Sequence, residues 1–335
     1  MDPFSHGFLA SLAAQNISKK EHIKKASIYG FLAGMSPDLD VLIRSKTDSL
    51  LAVEFHRHFT HSIFFAPIGA LIVSYFWWLI FRKNLQFKFA YPYSLIGILT
   101  HGLLDAATSY GTRIYWPFSN DRVSWSIISI IDPLFTIPLA ILVILIAYKS
   151  TKFLKIFSIA FVFLYLFNGY LQRERVEETL ENLSISRNHK IEHFEIKPTI
   201  GNNILWRSTY IYKDKIFIDA IRSNWLGDIK IYEGESLNHL SFPSSFSNLN
   251  KSSILYNDIA RFDFFSNKFL GALEEMPNVI IDARYSISAT SAKPMWGILI
   301  DEKHPNKHAY FKHFPREIDD KKITIFKKQL WGEDL

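Results

Sequence analysis

The strongest constraint on the fold is a set of long apolar runs confined to the first half of the chain. Residues 62–81 (SIFFAPIGALIVSYFWWLIF) contain no charged side chain. Twenty residues rising about 1.5 Å each would cross a hydrocarbon core of roughly 30 Å. Residues 133–148 and 156–171 are nearly as apolar, and Lys152 and Lys155 could reach lipid headgroups from the last run. We predict a transmembrane helix in each of these three runs.

A fourth apolar run, residues 89–105, differs from the others because it carries two ionisable side chains, His101 and Asp105. Ionisable groups at membrane depth are costly to bury without a partner and are therefore candidates for function. We predict that this run both spans the membrane and contributes to a site. The predicted fold is thus an α-helical membrane domain over residues 1–171, with about four transmembrane helices and further N-terminal helices.

The second half of the chain, residues 172–335, has a different pattern. Short β-branched and aromatic runs are broken by Asn, Gly, Ser and Pro, which predicts a mostly β, antiparallel soluble domain. The predicted strands include residues 208–212, 216–218, 279–281 and 323–326, and residues 173–183 are a predicted helical lead-in.

Charge and cysteine content narrow the partners and the ligands. The net charge of +6 is modest and its basic residues gather beside the apolar runs, which suits membrane lipids and not nucleic acid. Basic residues at 82–88 and 149–155 would be cytoplasmic in a multi-pass inner membrane protein, with the metal site on the extracytoplasmic face, although lysines of the N-terminal arm oppose this orientation. Because the chain has no cysteine, a metal must be held by His, Asp or Glu.

The N-terminal half concentrates such donors near the apolar runs. His101 and Asp105 lie one helical turn apart on one face, where a single metal ion could bind both. The alternative is that they pair only with each other inside a helix bundle. The full set of donors is His6, Asp38, Asp40, His56, His58, His61, His101, Asp105 and Asp132.

Two further segments carry donors at short spacing. Asp38 and Asp40 follow a Ser-Pro pair, where aspartates often serve only as turn or helix-capping residues. A cluster of three histidines, at residues 56, 58 and 61, precedes the first apolar run. Because histidine is largely neutral near pH 7, this cluster suits a metal ion better than lipid phosphate. Arg57, within the cluster, could bind a phosphoryl group.

Taken in order, these motifs resemble one family, the YdjM-like, LexA-regulated, membrane-bound metal-dependent hydrolases. The motifs are MDPFSH at the start, GMSPDLD at residues 34–40, HR and THS at residues 56–62, and HGLLD at residues 101–105. The resemblance covers about the first 135 residues, and LWR at 205–207 and DARY at 282–285 also resemble the longer members. The family is distantly similar to zinc-dependent phospholipase C and the zinc nucleases.

The resemblance implies a metal-dependent hydrolase whose ligands share one site. Ser5 stands where the family usually has Thr, and His58 stands where it tends to have Gly. The implied ligands are His6, Asp38, His56, His61, His101 and Asp105.

Our hypothesis from the sequence is a phosphoesterase with two or three divalent ions, zinc being the best match. Asp38 or Asp105 would bridge the ions, which would activate a water molecule as nucleophile. Asp40 is the predicted general base, and Arg57 or Arg113 would stabilise the phosphoryl transition state. The predicted catalytic residues are therefore Asp40, Arg57 and Asp105, and the predicted substrate is amphiphilic, such as a phospholipid or a lipid-linked phosphate.

Two other classes of function remain open at this stage. One is a membrane metalloprotease or amidase, although the chain has no His-Glu-x-x-His motif. The other is a non-enzymatic membrane protein with a structural metal site, or a metal transporter. A transporter would place its ligands near the bilayer midplane, whereas most of these donors precede the first strong apolar run.

Overall fold

A computed structural model of the chain describes residues 1–81, 85–225 and 227–335. The chain forms two compact units, each assembled from separate segments. The helical unit contains Met1–Leu42, Phe55–Leu171 and Ile200–Asn202. The sheet unit contains Ile43–Glu54, Gln172–Thr199 and Asn203–Leu335.

The helical unit is built from α-helices joined by short 3₁₀ segments. Its core combines Phe135, Leu139 and Ile146 with Leu12 and Leu104. The 3₁₀ segments are Lys20–His22, Pro37–Leu42 and Phe59–His61. The α-helices up to the end of this unit are α1 (Pro3–Ile17), α2 (Ile23–Met35), α3 (Leu51–Phe55, which belongs to the sheet unit except for Phe55), α4 (Ala66–Phe81), α5 (Phe87–Ala107), α6 (Pro133–Lys149) and α7 (Lys152–Ser186, which continues into the sheet unit).

Local sequence signals determine where the first two helices begin and end. Asp2 caps α1, because its carboxylate accepts the backbone N–H of Ser5 at 3.0 Å while Pro3 occupies the first turn. His6 therefore lies in the first turn of α1. At the other end of the pair, α2 ends at Met35, because Pro37 has no backbone N–H with which to continue the helical hydrogen bonds. The chain turns there into the 3₁₀ segment that carries Asp38, a predicted metal ligand, and Asp40, the predicted general base.

The close approach of α1, α2 and α5 depends on glycines in α2 and α5. A Cβ atom at Gly34 would lie 2.8 Å from the backbone oxygen of His6. A Cβ atom at Gly97 of α5 would lie 2.9 Å from the backbone oxygen of Gly30. Since such distances exclude any side chain at these glycines, the three helices can pack with their backbones nearly in contact. This packing brings the donors of α1 and α5 together.

The described part of the sheet unit forms one eight-stranded antiparallel sheet in which each strand pairs with its sequence neighbours. Val176 and Leu180, from the last turns of α7, pack on Trp206 and Ile221 of the sheet. The helices of this unit are α8 (Ile254–Phe265) and α9 (Asp320–Trp331). The strands are β1 (His193–Pro198), β2 (Leu205–Tyr212), β3 (Lys215–Arg222), β4 (Lys230–His239), β5 (Leu270–Ala272), β6 (Val279–Asp282), β7 (Trp296–Leu299) and β8 (Tyr310–His313).

The helical first half and the β-rich second half match the order predicted from the sequence. The predicted strands at 208–212, 216–218 and 279–281 lie in β2, β3 and β6, and the predicted lead-in at 173–183 is the end of α7. The strand predicted at 323–326 is wrong, because these residues lie in α9. Asp319 caps that helix, and Phe326 and Leu330, four residues apart, both pack against the core, so helical spacing prevails over β-branched composition.

The prediction of about four transmembrane helices is wrong. Among the described residues, α7 is the one helix that is both long and apolar enough to cross a membrane, and its apolar part is largely exposed. A second span is reached only if Leu51–His61 and Ala66–Phe81, which meet at a bend of 89°, are counted as one broken span.

Each of the other predicted spans fails for an identifiable reason. The run at 62–81 is helical only from Ala66, and its 16 residues extend about 24 Å, short of a hydrocarbon core. The run at 133–148 forms a helix of 17 residues, which is also shorter than the roughly 20 residues of a typical span. Helix α5 has 21 residues, but its buried residues include Ser94, His101 and Asp105, so its polar side chains interrupt the apolar character that a span requires.

The predicted orientation depended partly on residues 82–88. Arg82, Lys83 and Asn84 of that segment lie outside the described residues. The predicted side of the membrane therefore stays a prediction.

Candidate metal centre

Three elements of the helical unit bring four of the predicted ligands into one cluster. One donor atom each from Asp38, His61, His101 and Asp105 lies within 4.8 Å of the other three. Asp38 comes from the 3₁₀ segment after α2, His61 from the 3₁₀ segment before α4, and the other two from one face of α5. We call these four residues the metal centre.

The hydrogen bonds of His101 determine which of its ring nitrogens can bind a ligand. Its Nδ1 lies 2.6 Å from the backbone oxygen of Gly34. Since a carbonyl oxygen only accepts, Nδ1 carries a proton, and Nε2 is the nitrogen that offers a lone pair to a metal ion when the ring is neutral. Burial lowers the pKa of His101, but hydrogen bonds with Asp105 and Asp38 raise it to about 9, so without a metal ion a second proton occupies Nε2.

His61 is oriented in the same manner by a hydroxyl group. Thr60 Oγ1 donates to Asp40 Oδ2 at 2.9 Å, and the same hydroxyl lies 2.9 Å from His61 Nδ1. Because the hydroxyl proton is already donated, the oxygen accepts from His61 Nδ1–H, which leaves His61 Nε2 with a lone pair.

These two lone pairs face each other across a very short distance. His61 Nε2 and His101 Nε2 are 2.8 Å apart. Asp105 Oδ2 lies 3.2 Å and 3.5 Å from them, and Asp38 Oδ1 lies 3.4 Å and 3.6 Å away. Four acceptors therefore converge on one point, an arrangement that repels itself unless a cation or a proton lies among them.

His6 approaches the metal centre from the opposite oxygen of Asp105. Its Nε2 lies 3.0 Å from Asp105 Oδ1, and its ring stacks on His101 with centroids 3.7 Å apart. Neither nitrogen of His6 makes a hydrogen bond within the described residues, although the side chain is fully buried. The backbone nitrogen of Met1 also donates to Asp105 Oδ1. Asp105 Oδ1 thus faces His6 and Met1, whereas Oδ2 faces His61 and His101, so the two oxygens could bind two different ions.

A second group of possible ligands shares Asp38 with the first. Asp38, Asp40 and His56 can each place a donor atom within 4.8 Å of the others. His56 Nδ1 lies 2.9 Å from Asp40 Oδ1, so Asp40 accepts a hydrogen bond from His56 as well as one from Thr60. Asp40 also accepts the backbone N–H of Arg57 at 2.9 Å. Both oxygens of Asp40 are therefore engaged by donors.

The protonation of these carboxylates follows from their partners. Burial would raise the pKa of Asp38, but hydrogen bonds from His101 and His61 outweigh it and hold the pKa far below its usual value. For Asp40, burial is likewise outweighed, chiefly by the hydrogen bond from His56, so its pKa is lowered. Burial lowers the pKa of His6 well below its usual value, which keeps that imidazole neutral. Ionised carboxylates and neutral imidazoles are the forms that bind metals.

Arg57 is turned inward, towards Asp105. Its Nε lies 3.1 Å from Asp105 Oδ2, and its Nη1 donates to Thr108 Oγ1 at 2.8 Å. The guanidinium also stacks on Tyr110, 4.8 Å from the ring centroid. The backbone of Arg57 is left-handed, with φ of 62°, a conformation that typically costs about 1 kcal/mol or more in a non-glycine residue. This strain lets one residue contact both Asp40 and Asp105.

The residues present fit a divalent metal ion. Asp105 Oδ2 is buried and makes no hydrogen bond within the described residues. In His56, His61 and His101, one ring nitrogen is held by a carboxylate, a hydroxyl or a carbonyl and the other is available to a metal, the usual support of metal-binding histidine. The donor set of imidazoles and carboxylates, without thiolates, suits zinc and related ions.

Three further sequence candidates have contacts with residues other than the four of the metal centre. His58 packs among aromatic rings, with its centroid 5.2 Å from Phe55 and 5.7 Å from Trp116. Asp132 caps α6 and accepts the hydroxyl of Tyr165 at 2.7 Å. Arg113 donates its backbone N–H to the oxygen of Arg57.

Sequence reasoning gave no role to three residues that support the site. Gly34 supplies the carbonyl that orients His101, Thr60 orients His61, and Thr108 holds Arg57. Gly34 and Thr60 lie within the motifs noted above, but no local pattern indicates that their atoms would meet a histidine from another segment.

The helices and this cluster define a class: a membrane-associated helical protein with a possible metal site made of histidine and aspartate. A family model described as YdjM inner membrane protein matches residues 1–176. The chain belongs to this family, as its motifs predicted, and is therefore a membrane protein. The matched residues include every member of the metal centre.

Two curated proteins show the same similarity. YfhP of Bacillus subtilis is 28% identical over 182 residues, which cover 51% of this chain and 55% of YfhP. The inner membrane protein YbcI of Escherichia coli is 31% identical over 105 residues, which cover 30% of this chain and 60% of YbcI. The chain thus spans between half and two thirds of the length of these relatives. No solved structure matches the chain.

Proposed function

We propose that this protein is a metal-dependent hydrolase of the membrane that cleaves an amphiphilic phosphoester. The observation that carries the proposal is the convergence of two imidazole lone pairs with two carboxylates at the metal centre. The order of motifs that resembles metal-dependent hydrolases supports it. Membrane lipids are the proposed partners of the helical unit.

Each residue of the site has a proposed role. Asp38, His61, His101 and Asp105 would hold one divalent cation, with zinc as the best match. His6 on the far oxygen of Asp105, and His56 beside Asp38, provide donors for a second or third ion. Divalent cations in such a cluster supply Lewis acidity and activate water for attack on a phosphoryl group.

The geometry favours a positioning role for Asp40 in place of the general base predicted from the sequence. Its oxygens already accept from His56, Thr60 and the backbone of Arg57. A carboxylate held by this many donors is a weak base, but it orients the histidines that contact it. Arg57 would keep Asp105 ionised and would offset negative charge that develops near it.

The decisive experiment combines elemental analysis with a panel of soluble phosphoesters, esters and amides. The purified full chain and an Asp105→Ala variant would be compared, with circular dichroism as the check on folding. We expect the wild type to contain divalent metal and to cleave phosphoesters, and the variant to lose both. Metal binding without cleavage of any substrate would refute the enzyme and favour a structural metal site, whereas amide cleavage alone would favour a peptidase or amidase.

A further inference from the structure

The metal centre opens to the surface on one side. The side chains of Asp38 and His56 are 20% and 24% exposed, whereas those of His61, His101 and Asp105 are fully buried. A substrate must therefore approach past Asp38 and His56. Asp38 lies in the 3₁₀ segment Pro37–Leu42.

That 3₁₀ segment has three distinct rows of side chains, because residues three apart are eclipsed in a 3₁₀-helix. Pro37 and Asp40 form the buried row. Asp38 shares its row with Val41, which is 39% exposed. The third row, Leu39 and Leu42, is exposed at 62% and 73%.

Three large aliphatic side chains thus lie on the same short segment as Asp38. We call Leu39, Val41 and Leu42 the apolar rim. Contiguous exposed apolar side chains often mark an interaction site. In the same unit, the apolar part of α7 is also exposed, for example at Phe163 (64%). Because the protein belongs to an inner membrane family, lipid acyl chains are the partner that can cover both surfaces.

We propose that the apolar rim inserts among the acyl chains at the membrane surface and holds the acyl part of the substrate beside the metal centre. The substrate class is then a membrane phospholipid or another phosphoester that carries acyl chains. Its chains would lie along Leu39 and Leu42 while its phosphate reaches Asp38 and His56. The catalytic part of this inference rests on the proposed function, whereas the lipid contact does not.

The lipid contact can be measured without any activity. Because the chain contains no cysteine, Leu42→Cys provides a unique site for a nitroxide spin label in the full chain. The labelled protein would be reconstituted in vesicles of phosphatidylethanolamine and phosphatidylglycerol. Collision rates with oxygen, which enters lipid, and with a water-soluble nickel chelate would then be compared. Phe163→Cys on α7 is the lipid-exposed control, and Lys251→Cys, on an exposed loop of the sheet unit, is the water-exposed control.

We expect the label at residue 42 to resemble the label at residue 163, with high oxygen and low nickel accessibility. A label at 42 that behaves like the label at 251 would overturn the lipid contact. Metal content of the Leu42→Cys protein, measured beside the wild type, shows whether the site is intact.

The substrate part is tested with the double variant Leu39→Ser/Leu42→Ser. Turnover of a phospholipid in vesicles should fall by about tenfold or more, the equivalent of one lost leucine contact, while turnover of a soluble aryl phosphoester should be retained. The exposed Ile17→Ser, at the far end of α1 from His6, is the matched control and should change neither. An equal loss on both substrates would overturn the substrate role. A wild-type protein that cleaves neither substrate refutes the proposed function. The spin-label result still shows whether the apolar rim contacts lipid.

Discussion

Two buried polar clusters, one in each unit, differ in how their atoms are paired. In the sheet unit, Arg207 is buried and donates five hydrogen bonds, all to backbone oxygens between Ala283 and Ser291. In the helical unit, His61 and His101 direct lone pairs at each other, and Asp105 Oδ2 has no hydrogen bond within the described residues. Donors and acceptors balance in the first cluster, whereas acceptors exceed donors in the second.

This difference separates a structural cluster from the candidate metal site. A buried polar group that has found its partners stabilises one conformation. Buried acceptors that face one another destabilise the protein until a cation arrives. Arg207 and Arg284 lie in motifs that resemble longer family members, yet their bonds are internal to the sheet unit, so their pattern reflects folding.

The largest expected effect tests the excess of acceptors. His101→Ala removes one of the facing lone pairs, and metal affinity should fall by more than about 100-fold, beyond the range typical of supporting residues. The measurement is a competition titration with a chromophoric chelator. The matched control is His189→Ala in the sheet unit, whose Nδ1 lies 2.9 Å from the hydroxyl oxygen of Tyr210. Equal metal affinity in both variants would end the distinction between the two clusters.

The next effect tests the balanced cluster. Arg207→Met leaves buried carbonyl oxygens of the sheet unit without their donor, and the free energy of unfolding should drop by about 3 kcal/mol. Chemical denaturation followed by tryptophan fluorescence measures this change. The metal content should stay at the wild-type value. A variant with normal stability but reduced metal content would reverse the roles assigned to the clusters.

A smaller effect is expected from the residue that orients the ligands. Asp40→Asn keeps the shape of the side chain but can no longer accept from both His56 and Thr60, so metal affinity should weaken by about 10–100-fold. Asp132→Asn, another buried carboxylate of the helical unit, is the control and should bind metal normally. Nitrogen NMR of the histidine rings should show loss of the Nδ1-protonated tautomer at residue 56 or 61. Unchanged tautomers and an unchanged metal affinity would show that Asp40 does not orient the histidine ligands.

The smallest expected effect concerns two carboxylates, one in each unit, whose pKa values are shifted in opposite directions. Imidazole partners lower the pKa of Asp38, whereas burial raises the pKa of Asp263 in α8 to about 6. Since Asp263 binds its proton more tightly in the folded state, its contribution to stability is fully present below about pH 4 and is lost as the pH rises through about 6. Because the group is partly exposed, we expect a loss of about 1 kcal/mol.

The check is the pH dependence of the free energy of unfolding. Asp263→Asn should flatten the decline between pH 4 and pH 6, while the exposed Glu274→Gln should leave it as in the wild type. A decline of the same size in the Asp263 variant would show that another group causes it.

Much of the fold follows from local sequence patterns. The contrast between apolar runs and short β-branched runs predicts a helical first half and a β-rich second half. Pro37 follows the end of α2 and precedes Asp38 and Asp40, and Asp2 caps the start of α1 just before His6. Local residues thus place these donors at helix ends. The number of spans does not follow in this way, because helix length depends on where the chain bends, as it does before Ala66, and on which polar residues the bundle buries.

The donor types of the site are also visible in the sequence, since imidazole and carboxylate side chains lie at short spacing beside the apolar runs. Their partners are decided by packing between distant segments. His101 meets the carbonyl of Gly34, 67 residues away, and Arg57 meets Asp105 and not the surface. Composition and spacing thus specify which atoms can bind a cation. Whether their lone pairs converge depends on backbones that approach within contact distance, and this approach exists only in the folded bundle.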